Sequence, residues 1–152
     1  MTSSFKKIFA LCVVFACCAQ SFTKAQDYTS ENLFYIGNGR EALEEFKQHA
    51  GQVSIICPAT YQIDSGGVIT GDIDPRLLDV AAENGVKVMP LFATFNQQAV
   101  HQLVSSPTAR KEAIRLMLFN AKKYHFYGWQ MDLENVSYKD RDGYTSFFRQ
   151  SG

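Results

Sequence analysis

The chain has 152 residues, a length that normally forms one domain. Its residues are 46% hydrophobic and 13% aromatic, a composition typical of globular proteins that argues against disorder. Basic and acidic residues number 15 each, and no basic stripe is present, so we expect no nucleic-acid partner.

The first 25 residues have the order of a secretory leader. Two lysines precede an apolar run over residues 8–19, and small residues then lead to Ala25, which fits cleavage before Gln26. The apolar run is too short to span a bilayer comfortably, so we expect no transmembrane segment in the mature chain. Without the leader, 12 basic and 15 acidic residues remain, a net charge of −3. This pattern predicts a protein that is secreted or resides in the periplasm or cell envelope.

Cysteine usage concerns both the leader and the mature chain. A lipoprotein signal at Cys17 or Cys18 is an alternative, but Phe15 and the absence of a leucine three residues before the cysteine argue against it. Only Cys57 lies beyond the leader, so the mature chain can form no internal disulfide. Because Cys57 lies in an apolar run, we predict a small core residue and not a nucleophile.

Beyond the leader, strand-like and helix-like stretches alternate. Apolar runs typical of buried strands are "NLFYIG", "VSIICPATY", "VKVMPLFATF" and "YGWQMDLENV". Helices are predicted from Asn38 to Gly51, from Asp74 to Gly85, from Gln97 to Val104, from Ser106 onward and from Ser137 onward. The glycine-rich stretch after the second strand predicts a hairpin that turns at Ser65-Gly66-Gly67.

Local signals mark the ends and inner faces of these helices. Asn38 and Asp74 are predicted N-caps, and Ser137 with Asp140 resembles a capping box. Helical spacing predicts inward-facing apolar side chains at Leu43, Phe46, Ala50, Leu77, Leu78, Ala81, Ile114, Met117, Leu118 and Ala121.

The alternation of strands and helices predicts an α/β protein with a parallel sheet. An open doubly wound sheet and part of a (β/α)₈ barrel both fit it, but "YIGNGRE" lacks the G-x-G-x-x-G spacing of a dinucleotide-binding turn. A complete barrel needs roughly 250 residues, about twice the length of the segment after the leader. We therefore predict that residues 26–152 are the N-terminal half of a TIM barrel, about four βα units, from a longer protein.

The last strand, "GWQMDLENV", carries polar side chains on one face only. Side chains alternate along a strand, so Gln130, Asp132 and Glu134 share a face opposite Trp129, Met131 and Leu133. In a barrel, inward side chains near the carboxyl end of a strand surround the active site. Two neighbouring carboxylates in a half-desolvated pocket raise the pKa of one of them, which yields a proton donor. A solvated or ion-paired strand edge is the non-catalytic alternative.

This stretch resembles a signature of a known enzyme family. "YGWQMDLE" is similar to the D-G-x-D-x-D-x-E motif of glycoside hydrolase family 18, the chitinase-like (β/α)₈ enzymes, with Gly128, Asp132 and Glu134 in matching places. Tyr127 replaces the first aspartate and Gln130 the second. The resemblance covers nearly the whole segment after the leader. It is closest to the bacterial branch of spore cortex-lytic and spore-germination N-acetylglucosaminidases.

The resemblance implies a glycosidase that cleaves β-1,4-linked N-acetylglucosamine polysaccharides, of the chitin or peptidoglycan type. Retention would be substrate-assisted: Glu134 protonates the glycosidic oxygen, the substrate's acetamido oxygen attacks, and Asp132 stabilises that group. Gln130 would steady Asp132. No metal or organic cofactor is implied.

Further candidates come from aromatic residues near strand ends. Tyr35, Tyr61 and Phe92 are candidate substrate-binding residues that can stack on sugar rings, with core packing as the alternative for each. The histidines His49, His101 and His125 lack ligand spacing, so we predict no metal site. A non-catalytic, lectin-like carbohydrate-binding protein on the same barrel is the second functional hypothesis, and the presence of Glu134 argues against it.

The leader generates the first testable prediction. N-terminal sequencing of the protein exported by its host should begin at or near Gln26, because signal peptidase cuts after the small-residue exit. Recovery of a cytoplasmic protein that retains Met1 would contradict this prediction.

Overall fold

The computed structural model describes residues 30–152, so the predicted leader and its three cysteines lie outside the described residues. Within the described range, none of the helices is both long enough and apolar enough to cross a membrane. The chain from Ser30 onward alternates between strands and helices, in the order that the sequence predicts.

Four successive strand-then-helix steps make up the fold. The first consists of β1 (Leu33–Ile36) and α1 (Arg40–His49), followed by a 3₁₀ turn (Ala50–Gln52). The second consists of β2 (Ile55–Ile63), a short β3 (Ile69–Gly71) and α2 (Pro75–Glu83). The third consists of β4 (Lys87–Val88), β5 (Leu91–Thr94), α3 (Gln97–Ser105) and α4 (Pro107–Tyr124). The fourth consists of β6 (Gln130–Leu133), a 3₁₀ turn (Tyr138–Asp140) and α5 (Arg141–Ser151).

The main strands lie side by side in chain order. β1, β2, β5 and β6 are hydrogen-bonded neighbours in that sequence, and every pair among them is parallel. A doubly wound sheet reverses its strand order at a switch point, whereas the strands of a barrel follow one another around a closed ring. The observed order therefore favours half of a barrel over the open-sheet alternative.

The predicted hairpin is also present. β3 pairs antiparallel with the end of β2. The carboxylate of Asp64 accepts hydrogen bonds from the backbone N–H groups of Gly66 and Val68, at 2.8 Å each, which closes the turn. The hairpin tip thus forms at the residues that the sequence indicates.

The third strand is interrupted, which differs from the single run predicted. Ile56 pairs with Val88 and Ala59 pairs with Leu91, so the same register places Pro58 opposite Pro90. Proline has no backbone N–H to donate to a ladder. The two facing prolines therefore interrupt the hydrogen bonds to β2 at the point between β4 and β5, and both segments remain beside β2.

A register shift in β2 lies next to this break. Ala59 pairs with Leu91, but Tyr61 pairs with Phe92, so Thr60 is an extra residue on β2. Such a bulge turns the following side chains to the other face of the sheet. Gly71 packs on this bulge: a Cβ there would lie 2.3 Å from the carbonyl oxygen of Thr60, so only glycine fits.

The helices cover one face of the sheet and form the core with it. Nearly all the side chains predicted to face inward are buried or partly buried in this layer: Leu43, Phe46, Ala50, Leu77, Leu78, Ala81, Ile114, Met117 and Ala121. Leu118 is the exception, because its side chain is 55% exposed on α4. An 18-residue helix drifts around its axis, so the inward stripe passes to Met117 and leaves Leu118 outside.

The predicted caps are partly confirmed. Asp74 accepts a hydrogen bond from the backbone N–H of Arg76 and caps α2. Asn38 does not cap α1: the N-cap is Gly39, at φ 131°, with no side-chain cap. Ser137 caps the 3₁₀ turn through Lys139 N–H, and α5 begins only after Asp140. The capping-box prediction for Ser137 and Asp140 is therefore wrong.

Asp140 instead joins α5 to α3. Its buried carboxylate lies 2.7 Å from Nδ1 of His101 on α3. The two elements also approach closely at Gly143, where a Cβ would lie 2.6 Å from the carbonyl oxygen of Val104. These contacts hold the helix that follows β6 against the helix that follows β5.

Open strand edges generate the second prediction. β1 and β6 each pair on one side only among the described residues, and unpaired parallel edges promote association. Residues 26–152 expressed alone should therefore bind a hydrophobic dye and unfold without a sharp transition. A monomeric segment with a cooperative thermal transition would contradict the half-barrel account.

Candidate active site

The polar face of β6 is fixed by its pairing with β5. Leu91 pairs with Gln130, and Ala93 pairs with Asp132. Paired residues on parallel neighbours point to the same side of a sheet. The small Ala93 therefore leaves room beside Asp132, and the two polar side chains of β6 share a face with β5 residues that lie outside the helix-covered core.

The opposite face of β6 packs under the helices, as predicted. Leu133 is buried in the core, and Trp129 and Met131 pack against it. The indole Nε1 of Trp129 donates a hydrogen bond to the carbonyl oxygen of Met117 on α4, at 3.1 Å. The rings of Tyr61, Phe92 and Phe126 lie with centroids 5.1 to 5.7 Å from that of Trp129. Trp129 thus anchors the apolar face and turns the polar face away.

A cleft of about 930 Å³ opens on the polar side. It lies where the strands end, which in a barrel is the position of the active site. Side chains from all four strands and from the turns that follow them line it, including Tyr35, Gln62, Ala93, Phe95, Asn96, Gln130 and Asp132.

Glu134 lies just past the end of β6, two residues beyond Asp132, which lines the cleft. Its backbone N–H donates to the carbonyl oxygen of Thr94 at 3.1 Å, which extends the β5–β6 ladder by one residue. Its side chain is exposed among the described residues, whereas those of Gln130 and Asp132 are half-buried. Gln130 and Asp132 therefore line the cleft from one side of β6, and the placement of the Glu134 side chain beside them stays a prediction.

The partners of Gln130 differ from expectation. Its side-chain Nε2 donates to Sδ of Met89 at 3.4 Å, a weak contact. No hydrogen bond within residues 30–152 joins Gln130 to Asp132. Support of Asp132 by Gln130 consequently stays a prediction.

Tyr144 on α5 packs against the helix-covered core. Burial raises the pKa of its phenol, and the negative charge of Asp132 raises it further.

Only one of the three predicted sugar-stacking rings lies in the open. Tyr35 lines the cleft and is 63% exposed. Tyr61 is 4% exposed and Phe92 is fully buried, and both rings contact Trp129 in the core. The assignment of these two is therefore corrected to core packing. The bulge at Thr60 turns Tyr61 toward the helices, and Phe92 pairs with Met131, which faces the helices too.

Phe95 is the aromatic residue that sequence reasoning missed. It lines the cleft, and its ring is 61% exposed. It lies two residues beyond Ala93 and so on the same side of the strand path. The available signal was the second phenylalanine of "FATF", which follows β5 and does not lie inside it.

Other candidate chemistry is limited. Cys57 is buried, and burial raises the pKa of its thiol to about 12, so the thiol is protonated and unreactive at neutral pH. This confirms its assignment to the core. Among residues 30–152, no cluster of three or more histidine, cysteine or acidic side chains is arranged to hold a metal. His125 ends α4 in a left-handed conformation, in agreement with a structural role.

Known proteins match both the sequence and the fold, although no protein-family model matches the chain. The putative sporulation-specific glycosylase YdhD of Bacillus subtilis is 30% identical over 121 residues, which cover 73% of this chain and 27% of that protein. The chain spans 27% to 30% of the length of the curated relatives it matches.

Solved structures share the architecture. The spore cortex-lytic enzyme SleL of Bacillus cereus superposes with a TM-score of 0.73 at 17% identity, over 80% of this chain and 31% of that one. A chitinase from Chromobacterium violaceum gives a TM-score of 0.71, also at 17% identity, over 81% of this chain and 41% of that one. This confirms the fold prediction: the described chain is half of a (β/α)₈ barrel. The resemblance drawn from the sequence is confirmed as well: the chain is similar to the chitinase-like proteins of glycoside hydrolase family 18, and a spore cortex-lytic enzyme is among its structural neighbours.

Proposed function

We propose that these residues are the N-terminal half of a secreted glycoside hydrolase that cleaves β-1,4-linked N-acetylglucosamine polymers. The observation that carries the proposal is the polar face of β6, where Gln130 and Asp132 line the cleft, Asp132 lies beside the small Ala93, and the exposed Glu134 follows the strand end. Similarity to the glycosylase YdhD supports the same class of reaction. The strands that would complete the barrel belong, in this proposal, to a longer protein.

The proposed mechanism assigns one task to each carboxyl group. Glu134 donates its proton to the glycosidic oxygen as the bond to the anomeric carbon breaks. The acetamido oxygen of the substrate attacks that carbon from the other side, and Asp132 stabilises the positive charge that develops on the acetamido group. Water then opens the oxazolinium ring, and Glu134 takes a proton from that water.

Substrate binding in this proposal uses the exposed rings of the cleft. Tyr35 and Phe95 are both open to solvent at the strand ends and present apolar surfaces to sugar faces. Tyr35 lies in β1 and Phe95 comes directly after β5, the strand next to the one that carries Asp132, so both rings are available to sugars bound along the cleft.

A non-catalytic carbohydrate-binding protein is the second candidate. The amide of Gln130 favours it, because a carboxylate at this position could share a proton with Asp132 and an amide cannot. The presence of a glutamate two residues beyond Asp132 favours the enzyme. Removal of the acid would lower the turnover of an enzyme, whereas a binding protein has no turnover to lose.

The third prediction separates them by substitution in the full-length protein. Glu134→Gln keeps the shape but removes the transferable proton, so turnover of an N-acetylglucosamine oligomer should fall by about 10² to 10⁴ with binding retained. Asp132→Asn should also slow turnover, because the acetamido group loses its charged partner. Gln130→Ala should cost less, since Gln130 would act only through Asp132.

The matched control is Glu112→Gln, a partly exposed carboxyl on α4 that is ion-paired with Arg115. It removes the same charge outside the cleft and should leave turnover unchanged. Full activity in Glu134→Gln would refute Glu134 as the acid, whereas oligomer binding without any turnover in the unmodified protein would favour the binding protein.

A further inference from the structure

Asn135, the residue after Glu134, has an uncommon backbone conformation. Its φ is 56°, and among the described non-glycine residues only His125 shares a positive φ. Side chains other than glycine rarely adopt this left-handed region, although asparagine tolerates it better than most. The chain therefore turns sharply immediately after the proposed acid.

The side chain of Asn135 fastens this turn. Its Nδ2 donates to the carbonyl oxygen of Phe95 at 2.9 Å. The backbone N–H of Glu134 donates to the carbonyl oxygen of Thr94, the residue before Phe95. Two consecutive residues after β6 are thus tied to two consecutive carbonyl groups at the end of β5.

We infer that Asn135 is the positioning residue of Glu134, an inference that rests on the proposed function. The ladder bond fixes the Glu134 backbone on one side, and the left-handed turn with its amide bond fixes it on the other. Phe95 also presents its exposed ring to the cleft. Asn135 therefore holds the acid and this aromatic surface in one fixed arrangement.

Preorganisation of this kind affects the chemical step more than binding. A catalytic group displaced by about 1 Å can cost about a hundredfold in rate. The substrate would still contact the cleft, so its affinity would change little. Loss of the Asn135 amide should therefore lower kcat and leave KM nearly constant.

The test uses three substitutions of Asn135 in the full-length protein. Asn135→Gly keeps access to the left-handed backbone but removes the amide. Asn135→Asp keeps the shape but places a carboxylate, which cannot donate, against the Phe95 carbonyl. Asn135→Ala removes the amide and disfavours the backbone conformation. We expect kcat on an N-acetylglucosamine oligomer to fall about ten- to a hundredfold in Asn135→Gly and Asn135→Asp, and further in Asn135→Ala.

Asn84→Ala is the matched control. Asn84 donates its Nδ2 to the carbonyl oxygen of Val80 at 2.9 Å, the same kind of bond at the same length. It follows α2 and leads into β4, so it lies at the opposite end of the strands from the cleft. Its loss should leave kcat unchanged, which separates positioning from general destabilisation.

A second readout does not depend on activity. Hydrogen exchange of the Glu134 backbone amide should quicken in Asn135→Gly, by up to about tenfold for the loss of one supporting hydrogen bond. Unchanged exchange and unchanged kcat in Asn135→Gly would overturn the positioning role and leave the proposed function intact. Absence of turnover in the unmodified protein would instead refute the proposed function. It would also refute the positioning role of Asn135, because that role requires Glu134 to be a catalytic acid.

Discussion

The pairing of β6 with β5 is the constraint on which the rest of the site depends. Side chains alternate along a strand, so a slip of one residue would bury Asp132 under the helices and turn Leu133 into the cleft. Trp129 opposes such a slip, because its indole is hydrogen-bonded to α4 and packed among three other rings. At the carboxyl end of β6, the hydrogen bond from the Glu134 backbone N–H to the Thr94 carbonyl oxygen extends the same register to the proposed acid. An apolar anchor on one face thus fixes a polar site on the other.

Local sequence patterns predict one part of this site and not another. The period-two pattern of "GWQMDLENV" is sufficient to assign both faces of β6, because one face is wholly apolar. The face of the sheet to which Tyr61 points cannot be predicted from the sequence in the same way. It depends on the bulge at Thr60, which forms where β2 meets β5 and has no local sequence signal. Long-range pairing, not local pattern, decides which aromatic rings reach the cleft.

The helix ends show the same division. Asp74 followed by Pro75 is sufficient to specify the start of α2. The side-chain cap by Asp74 and the fixed backbone angle of Pro75 both act within the first helical turn. Asp140 also has a capping spacing, yet its carboxylate contacts His101, which lies 39 residues earlier in the chain. The contact with a residue so distant in sequence outweighs the local capping signal. The left-handed turn at Asn135 is likewise stabilised by the carbonyl group of Phe95, which follows β5 and lies 40 residues earlier in the chain, so sequence spacing alone does not reveal it.

The central claim of this account is that the polar face of β6 serves substrate-assisted hydrolysis. The most direct test measures the hydrolysis rates of a fully N-acetylated and a de-N-acetylated oligomer of equal length by the full-length protein. In the proposed mechanism the acetamido oxygen is the nucleophile. An attacking group held in place reacts much faster than one from solution, so the acetylated oligomer should react at least about a hundredfold faster. Equal rates on the two oligomers would contradict the mechanism.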